Sequence, residues 1–296
     1  MDEAALAALF AELAAFNARC AANPREAANF AAQLRRTPRA EKECWLFNSA
    51  LNNNATLVRL LLADGLSPNT TDPERWDNSV LHFAAQGGSI NVVRLLLEAG
   101  AEASSLDNLG NTPLQAAVAY GKLTCARELI PHTDLLHFNA SGNNVLHKSI
   151  IVNQPEIFKL LLPHFADNVD VRTIKQRPPG DPDAPFNYTP LMMACQGGHH
   201  AMVKAFLAVG ASRTAHDSNS FSCLHFAAQH GHLACVTLLI GRPENQKMSA
   251  AEINARANKG QTTLHRRTIT GTAMPRSSLP AQILLLQCLW GSQRWI

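Results

Sequence analysis

A phrase that returns along the chain constrains this sequence more than any other feature. It reads Val80-Leu81-His82-Phe83-Ala84-Ala85, and again Cys223-Leu224-His225-Phe226-Ala227-Ala228. In each well-kept copy a Gly follows, then an apolar block such as Val92-Val93-Arg94-Leu95-Leu96-Leu97, then Gly100-Ala101. Anchored on the first Leu, seven copies start at Leu46, Leu81, Leu114, Leu146, Leu191, Leu224 and Leu264, spaced by 35, 33, 32, 45, 33 and 40 residues. The 296 residues therefore reflect copy number, and each copy must bury its apolar face against the next.

The third copy shows why these residue types recur. In Gly110-Asn111-Thr112-Pro113-Leu114, Thr112 can cap a first helix with its hydroxyl. Pro113 falls at the first helical position, where a missing N–H costs nothing. Leu114 faces inward. Gly121 falls where the helix must stop and the chain reverse, a place for a left-handed residue. The second helix then carries an apolar stripe toward its neighbour.

This phrase at a period near 33 resembles the ankyrin repeat, over roughly residues 44 to 268. The resemblance implies an all-α architecture: an ankyrin-repeat α-solenoid of six to seven helix-turn-helix repeats with β-turn fingers. Copies two and six are close to the family pattern, and the fifth has Thr189-Pro190-Leu191, then Gly198-His199 and Gly210-Ala211. The first has Asn53 and the fourth Asn153 at the mid-repeat Gly, and Pro163 closes the second helix of the fourth. The expected organisation is an N-terminal helical cap over 1–40, the array over 41–269 and an irregular tail over 270–296. The two long spacings place insertions at about 166–186, around Arg177-Pro178-Pro179-Gly180-Asp181-Pro182, and at about 241–252.

In the N-terminal segment Leu6, Leu9, Phe10 and Leu13 recur at helical spacing, and Asn23-Pro24 reads as the start of a second helix carrying Phe30 and Leu34. A cap over the first repeat is expected; a partner-binding amphipathic helix is the alternative. At the other end, Arg266 and Arg267 stand where the seventh copy should have two small, tightly packed residues, and burying them unpaired is costly. A reading-frame change near residue 266 would explain the break. Codons permitted for Gly271 to Pro280, read two nucleotides later, can encode a segment like the second half of a repeat.

Composition narrows the function. The chain is 46% apolar and 17% charged with a net charge of +3, and it has no basic stripe of the kind that holds nucleic acid. No apolar run reaches the roughly 18 residues of a membrane span, and Met1-Asp2-Glu3 is acidic where a targeting leader would be basic. Seven scattered cysteines without a C-x-x-C pair fit free thiols in a reducing compartment. The sequons at Asn54, Asn69, Asn139 and Asn187 then read as chance. His225, His230, His232 and Cys235 form the most tempting metal cluster, but the repeat itself accounts for His225 and His232, as it does for His199 beside His200. No phosphate loop, nucleophile elbow or H-E-x-x-H motif occurs. No cofactor, metal, nucleic acid or membrane is expected, and no catalysis.

What remains is a binding surface. The resemblance implies that a protein partner is held on the concave face, built from hairpin tips and first helices. Carried across singly, the positions before the cap are Asn78, Asn111, Asn143, Tyr188, Phe221 and Gln261. The finger tips include Arg75, Trp76, Asn108, Leu109, Ser218 and Asn219, and the exposed turns of first helices give Tyr120, Gln229 and His230. Four are aromatic (Trp76, Tyr120, Tyr188, Phe221) in a chain with only 6% aromatic residues, and aromatic side chains are favoured interface anchors. They are expected to line the groove; the alternative is that they cover local apolar surface. The expected function is an intracellular protein–protein interaction module, a monomeric scaffold or adaptor of the cytoplasm, with the nucleus also open. The competing reading is the substrate-recruiting fragment of a larger enzyme, such as a ubiquitin ligase or kinase.

Overall fold

Helix pairs separated by short turns run through the computed structural model, which describes residues 34–174 and 187–241. These divide between two compact units, Met1–Leu160 and Leu161–Ile296. The N-terminal helices expected before residue 34, the Pro-rich insertion at Arg177 to Pro182, the second insertion after Gly241, the seventh copy and the tail lie outside the described residues.

The first unit contains α1 (Arg39–Leu51), α2 (Ala55–Ala63), a hairpin of β1 (Thr71–Asp72) and β2 (Asn78–Ser79), α3 (Val80–Gly87), α4 (Ile90–Glu98), α5 (Pro113–Ala119), α6 (Leu123–Leu129) and α7 (Val145–Ile151), and is closed by α8 (Pro155–Leu161). First helices α1, α3, α5 and α7 stack in series, and second helices α2, α4 and α6 stack behind them. The sequence dictates this division. Each anchoring Leu (Leu46, Leu81, Leu114, Leu146) is buried, and so is the apolar stripe Val92, Val93 and Leu96 of α4. These helices are too short to be stable alone; the shared apolar layer holds them.

The turns use the residues that the repeats supply. Between first and second helix the chain passes through a left-handed residue at Gly88 and Gly121, φ +80° and +67°. Asn53 and Asn153 take the same conformation at +57° and +50°. Asn is among the few side chains that tolerate it, so the two degenerate copies keep the turn. At the other end of the first helices, Thr112 Oγ1 accepts from Gln115 N at 3.3 Å and Asn144 Oδ1 from His147 N at 3.0 Å.

The residue after the anchoring Leu does a second job. The His82 ring is buried. Its Nδ1 accepts from Ser79 N at 3.2 Å, and its Nε2 lies 3.0 Å from the Asn111 carbonyl in the next finger. In the following repeat Gln115 replaces the histidine and reproduces the bridge: Oε1 accepts from Thr112 N at 3.2 Å, and Nε2 donates to the Asn143 carbonyl at 3.1 Å. One buried side chain thus satisfies a backbone donor in its own cap and a backbone acceptor one repeat on.

The second unit opens with a 3₁₀ segment, Leu162–Asn168, which contains Pro163, and continues with α9 (Pro190–Gln196), α10 (His200–Ala208), α11 (Cys223–Gln229) and α12 (Leu233–Ile240). Here α9 packs on α11 and α10 on α12, burying Leu191, Met202, Val203, Phe206, Leu224, Cys235 and Leu239. Arg172 donates to the carbonyls of Asn187 (3.0 Å) and His216 (2.7 Å), and Asp170 accepts from Ser212 N at 3.1 Å. The motif histidine His225 again faces its own cap, with Nδ1 2.9 Å from Ser222 Oγ.

Candidate functional site

The fingers of the first unit are built by Asp and Asn side chains at their bases. Asp107 Oδ1 accepts from Leu109 N at 2.9 Å and Asn111 N at 2.7 Å, and the turn closes with Gly110 N to Asp107 O at 2.8 Å. Asn139 repeats the arrangement with Ser141 N and Asn143 N, both at 3.0 Å, and in the second unit Asp217 does so with Asn219 N and Phe221 N. A short acceptor that mimics a backbone carbonyl is what such turns need. Replacing Asp107 with Ala leaves these two amides to water and should cost about 1–2 kcal/mol, while Asp107→Asn should keep most of it, as Asn139 does naturally. Urea midpoints of the two variants check this, and an unchanged midpoint for Asp107→Ala would refute the assignment.

Successive tips are tied together. Asn108 N donates to the Trp76 carbonyl at 2.8 Å, and Ala140 N to the Leu109 carbonyl at 2.9 Å. Trp76, Asn108, Leu109 and Ala140 therefore form one continuous edge. Trp76 is 63% exposed and Leu109 50%. The first finger is also the longest of the three in the first unit: seven positions separate Asp72 from the capping Ser79, against five from Asp107 to Thr112 and from Asn139 to Asn144. The spacing of 35 between Leu46 and Leu81 held this signal. The added length ends in a turn closed by Asn78 N to Arg75 O, with Trp76 and Asp77 both left-handed at φ +60° and +58°, the pattern of a type I′ turn. Trp in that conformation costs about 1–3 kcal/mol and pays no obvious structural return, since its ring stands in solvent.

The fifteen expected contact residues separate into columns. At the tips, Arg75, Trp76, Asn108 and Leu109 are exposed, and Ser218 and Asn219 of the second unit are half-buried. At the ends of first helices, Tyr120, the residue after α5, is 55% exposed; in the second unit His230 is exposed, its ring stacked on His232 at 6.1 Å, and Gln229 is half-buried. The column before the cap does not point outward as expected. Phe221 is only 5% exposed, packed 5.5 Å from His225 and 6.1 Å from Phe226. Tyr188 is half-buried, edge-on to Phe226 at 5.4 Å. Asn111 is buried, bonded to Asp107 and accepting from Asn139 Nδ2 at 2.8 Å. Asn78 and Asn143 are half-buried, and Asn78 Nδ2 donates to the Arg75 carbonyl. This column follows a left-handed residue that turns its side chains back between fingers, so Phe221 and Asn111 serve the stack. Gln261 lies outside the described residues.

Among the described residues, no three His, Cys, Asp or Glu side chains are placed to hold a metal ion, and no helix is long and apolar enough to cross a membrane. His232 Nε2 is instead 3.0 Å from the Gln196 carbonyl. Burial raises the thiols of Cys125, Cys195 and Cys235 above their ordinary value, which keeps them protonated and poor nucleophiles.

The comparisons with known proteins agree with this architecture. The family model for ankyrin repeats (3 copies) matches residues 19–107, 46–137, 81–175 and 168–257. XBAT31 of Arabidopsis thaliana, named as a candidate E3 ubiquitin-protein ligase, is 33% identical over 129 residues, 42% of this chain and 26% of that protein. The B-cell lymphoma 3 protein homolog of Mus musculus is 29% identical over 195 residues, 64% of this chain and 41% of that protein. The chain thus spans well under two thirds of the length of these curated relatives. Among solved structures, the human ASB11 ankyrin repeat domain superposes with a TM-score of 0.61 at 25% identity, covering 81% of this chain and 96% of that one. The ankyrin repeat domain of Bcl-3 gives 0.60 at 25% identity, covering 75% and 92%. Ankyrin repeats are protein-interaction modules, and by its repeated phrase, its stacked helix pairs and these matches the chain belongs to the ankyrin repeat family.

Proposed function

We propose that this chain is a scaffold or adaptor of the cytoplasm that holds a protein partner on the finger and first-helix face of its first unit, with Trp76, Leu109 and Tyr120 as anchors. The observation that carries the reading is the continuous tip edge, where a strained, exposed Trp and an exposed Leu stand side by side on hydrogen-bonded fingers. A preformed edge of this kind orders little on binding, so its apolar contacts go into affinity. The chain itself performs no catalysis in this reading.

The test is a pull-down from native lysate with the full chain and a Trp76→Ala/Leu109→Ala/Tyr120→Ala variant, both checked for helicity and melting. Proteins held by the first and lost by an equally folded second are expected. The same proteins on both would remove this surface from the account. The match to a plant protein named as a candidate ubiquitin ligase favours a second reading, a substrate-recruiting part of a larger enzyme; a transcript that continues in frame into a RING or kinase domain would support it.

A further inference from the structure

The side chains around the apolar tips differ in charge from the chain as a whole. Across the first two fingers stand Asp72, Glu74, Asp77 and Asp107, against one base, Arg75. The net charge of the whole chain is +3, so the acidity is local. Arg75 is also engaged: its Nε lies 3.7 Å from Asp72 and its guanidinium 5.7 Å over the Phe83 ring. Among the described residues, neither Glu74, Asp77 nor Asp107 forms an ion pair. The other Lys and Arg residues of the same two repeats, Arg94, Lys122 and Arg127, stand on second helices or at the start of one and not on the fingers. Trp76 and Leu109 are therefore two exposed apolar anchors set in an acidic border in which, among the described residues, only Asp72 has an ion-pair partner.

Resting on the reading above that the tips bind a partner, we infer that the partner segment is a cationic, extended peptide that carries an aliphatic or aromatic side chain between its Lys or Arg residues. The apolar side chain packs on Trp76 and Leu109, and the flanking bases face Glu74 and Asp77. An acidic segment would bring like charges together, which costs affinity and slows encounter. The Trp76 ring face also accepts a cation directly.

The test is a random dodecapeptide display library panned on the full chain and counter-selected on Trp76→Ala. Enriched, Trp76-dependent peptides should be net positive and contain Leu, Phe or a similar residue. Synthesised singly, they should bind about tenfold more weakly to Glu74→Gln/Asp77→Asn, with affinity falling as salt rises. Asn at position 77 keeps the left-handed turn, so that variant keeps its fold. Trp76-dependent peptides that are neutral or acidic, or whose binding ignores the two substitutions, would overturn the partner's chemistry and leave the binding surface standing. Failure to recover any Trp76-dependent peptide would overturn both.

Discussion

Gly87→Ala should destabilise the first unit by a net of about 2 kcal/mol or more, although helix propensity alone argues the opposite. Gly87 ends α3 with an ordinary φ. Ala there would be expected to gain about 1 kcal/mol as a better helix former. A Cβ at this position, however, would run into the carbonyl of Leu51 at the end of α1. The atom it meets is backbone, with no rotamer to turn away. That carbonyl is also held by the neighbouring Ser89 hydroxyl at 3.1 Å. The two helices must separate or shift, and overpacking of this kind typically costs about 1–3 kcal/mol and at times more. Sterics should win. Thermal melting followed by circular dichroism decides it, with a fall of about 5–10 °C expected; a variant as stable as the parent would show that α1 and α3 are not in the contact described.

The second large effect is expected at His82. His82→Ala leaves the Ser79 amide and the Asn111 carbonyl without their shared partner in a buried site, a loss of about 3 kcal/mol. His82→Gln should stay within about 1 kcal/mol of the parent at pH 7.5, because Gln115 makes the same two bonds in the next repeat. The pair differ in their response to acid. Burial lowers the His82 pKa below its ordinary value of 6.5, opposed by the Asn111 carbonyl and the Asp107 charge. Nδ1 is the acceptor for the Ser79 amide, so a proton there meets a donor. With the folded pKa depressed, the unfolded state binds more protons in the window below 6.5, and stability rises with pH across it. The contribution of His82 is thus complete above about pH 6.5 and is lost as the pH falls from there through the folded value. Urea melts from pH 7.5 to 5 should show the parent losing stability relative to His82→Gln. Parallel curves would mean that the ring is not the proton-linked group.

Much of this structure was legible because the repeat states the same constraints several times. The anchoring leucines, the capping Thr112, the Pro at the first helical turn and the left-handed Gly121 follow from residue type and position alone. Even Asn53 and Asn153, which break the consensus, keep the backbone conformation they replace. The candidate site was less legible, for a physical reason. Alignment places a residue at a position in the repeat but does not say which way its side chain turns. The column before the cap holds Asn111 and Phe221, one polar and one aromatic, and both are drawn inward: Asn111 by Asp107 and Asn139, Phe221 by the rings of His225 and Phe226. Trp76 was identified, but not that it stands on a finger two residues longer than its neighbours. The spacing of 35 recorded that length, though only the Asp72-to-Ser79 interval shows where the added residues lie. Gln115 stands where other copies carry histidine, and residue type alone does not show that it is a second way of making one bridge.

The acceptor at each finger base has a further consequence. Asp107 and Asn139 close their own turns, and the bridges from His82 and Gln115 reach the base of the next finger and not its tip, so a finger can change length at its tip without disturbing the helices behind it. The first finger has done so, while Val80 to Gly87 keep the usual register. Each repeat therefore carries two kinds of inheritance. Its helices are held to a fixed pattern by the neighbours they must fit, whereas its loop is free to grow, shrink or change charge as a partner changes. Divergence among such chains should then gather at the fingers first, and the helices should preserve ancestry long after the binding preference has been rewritten.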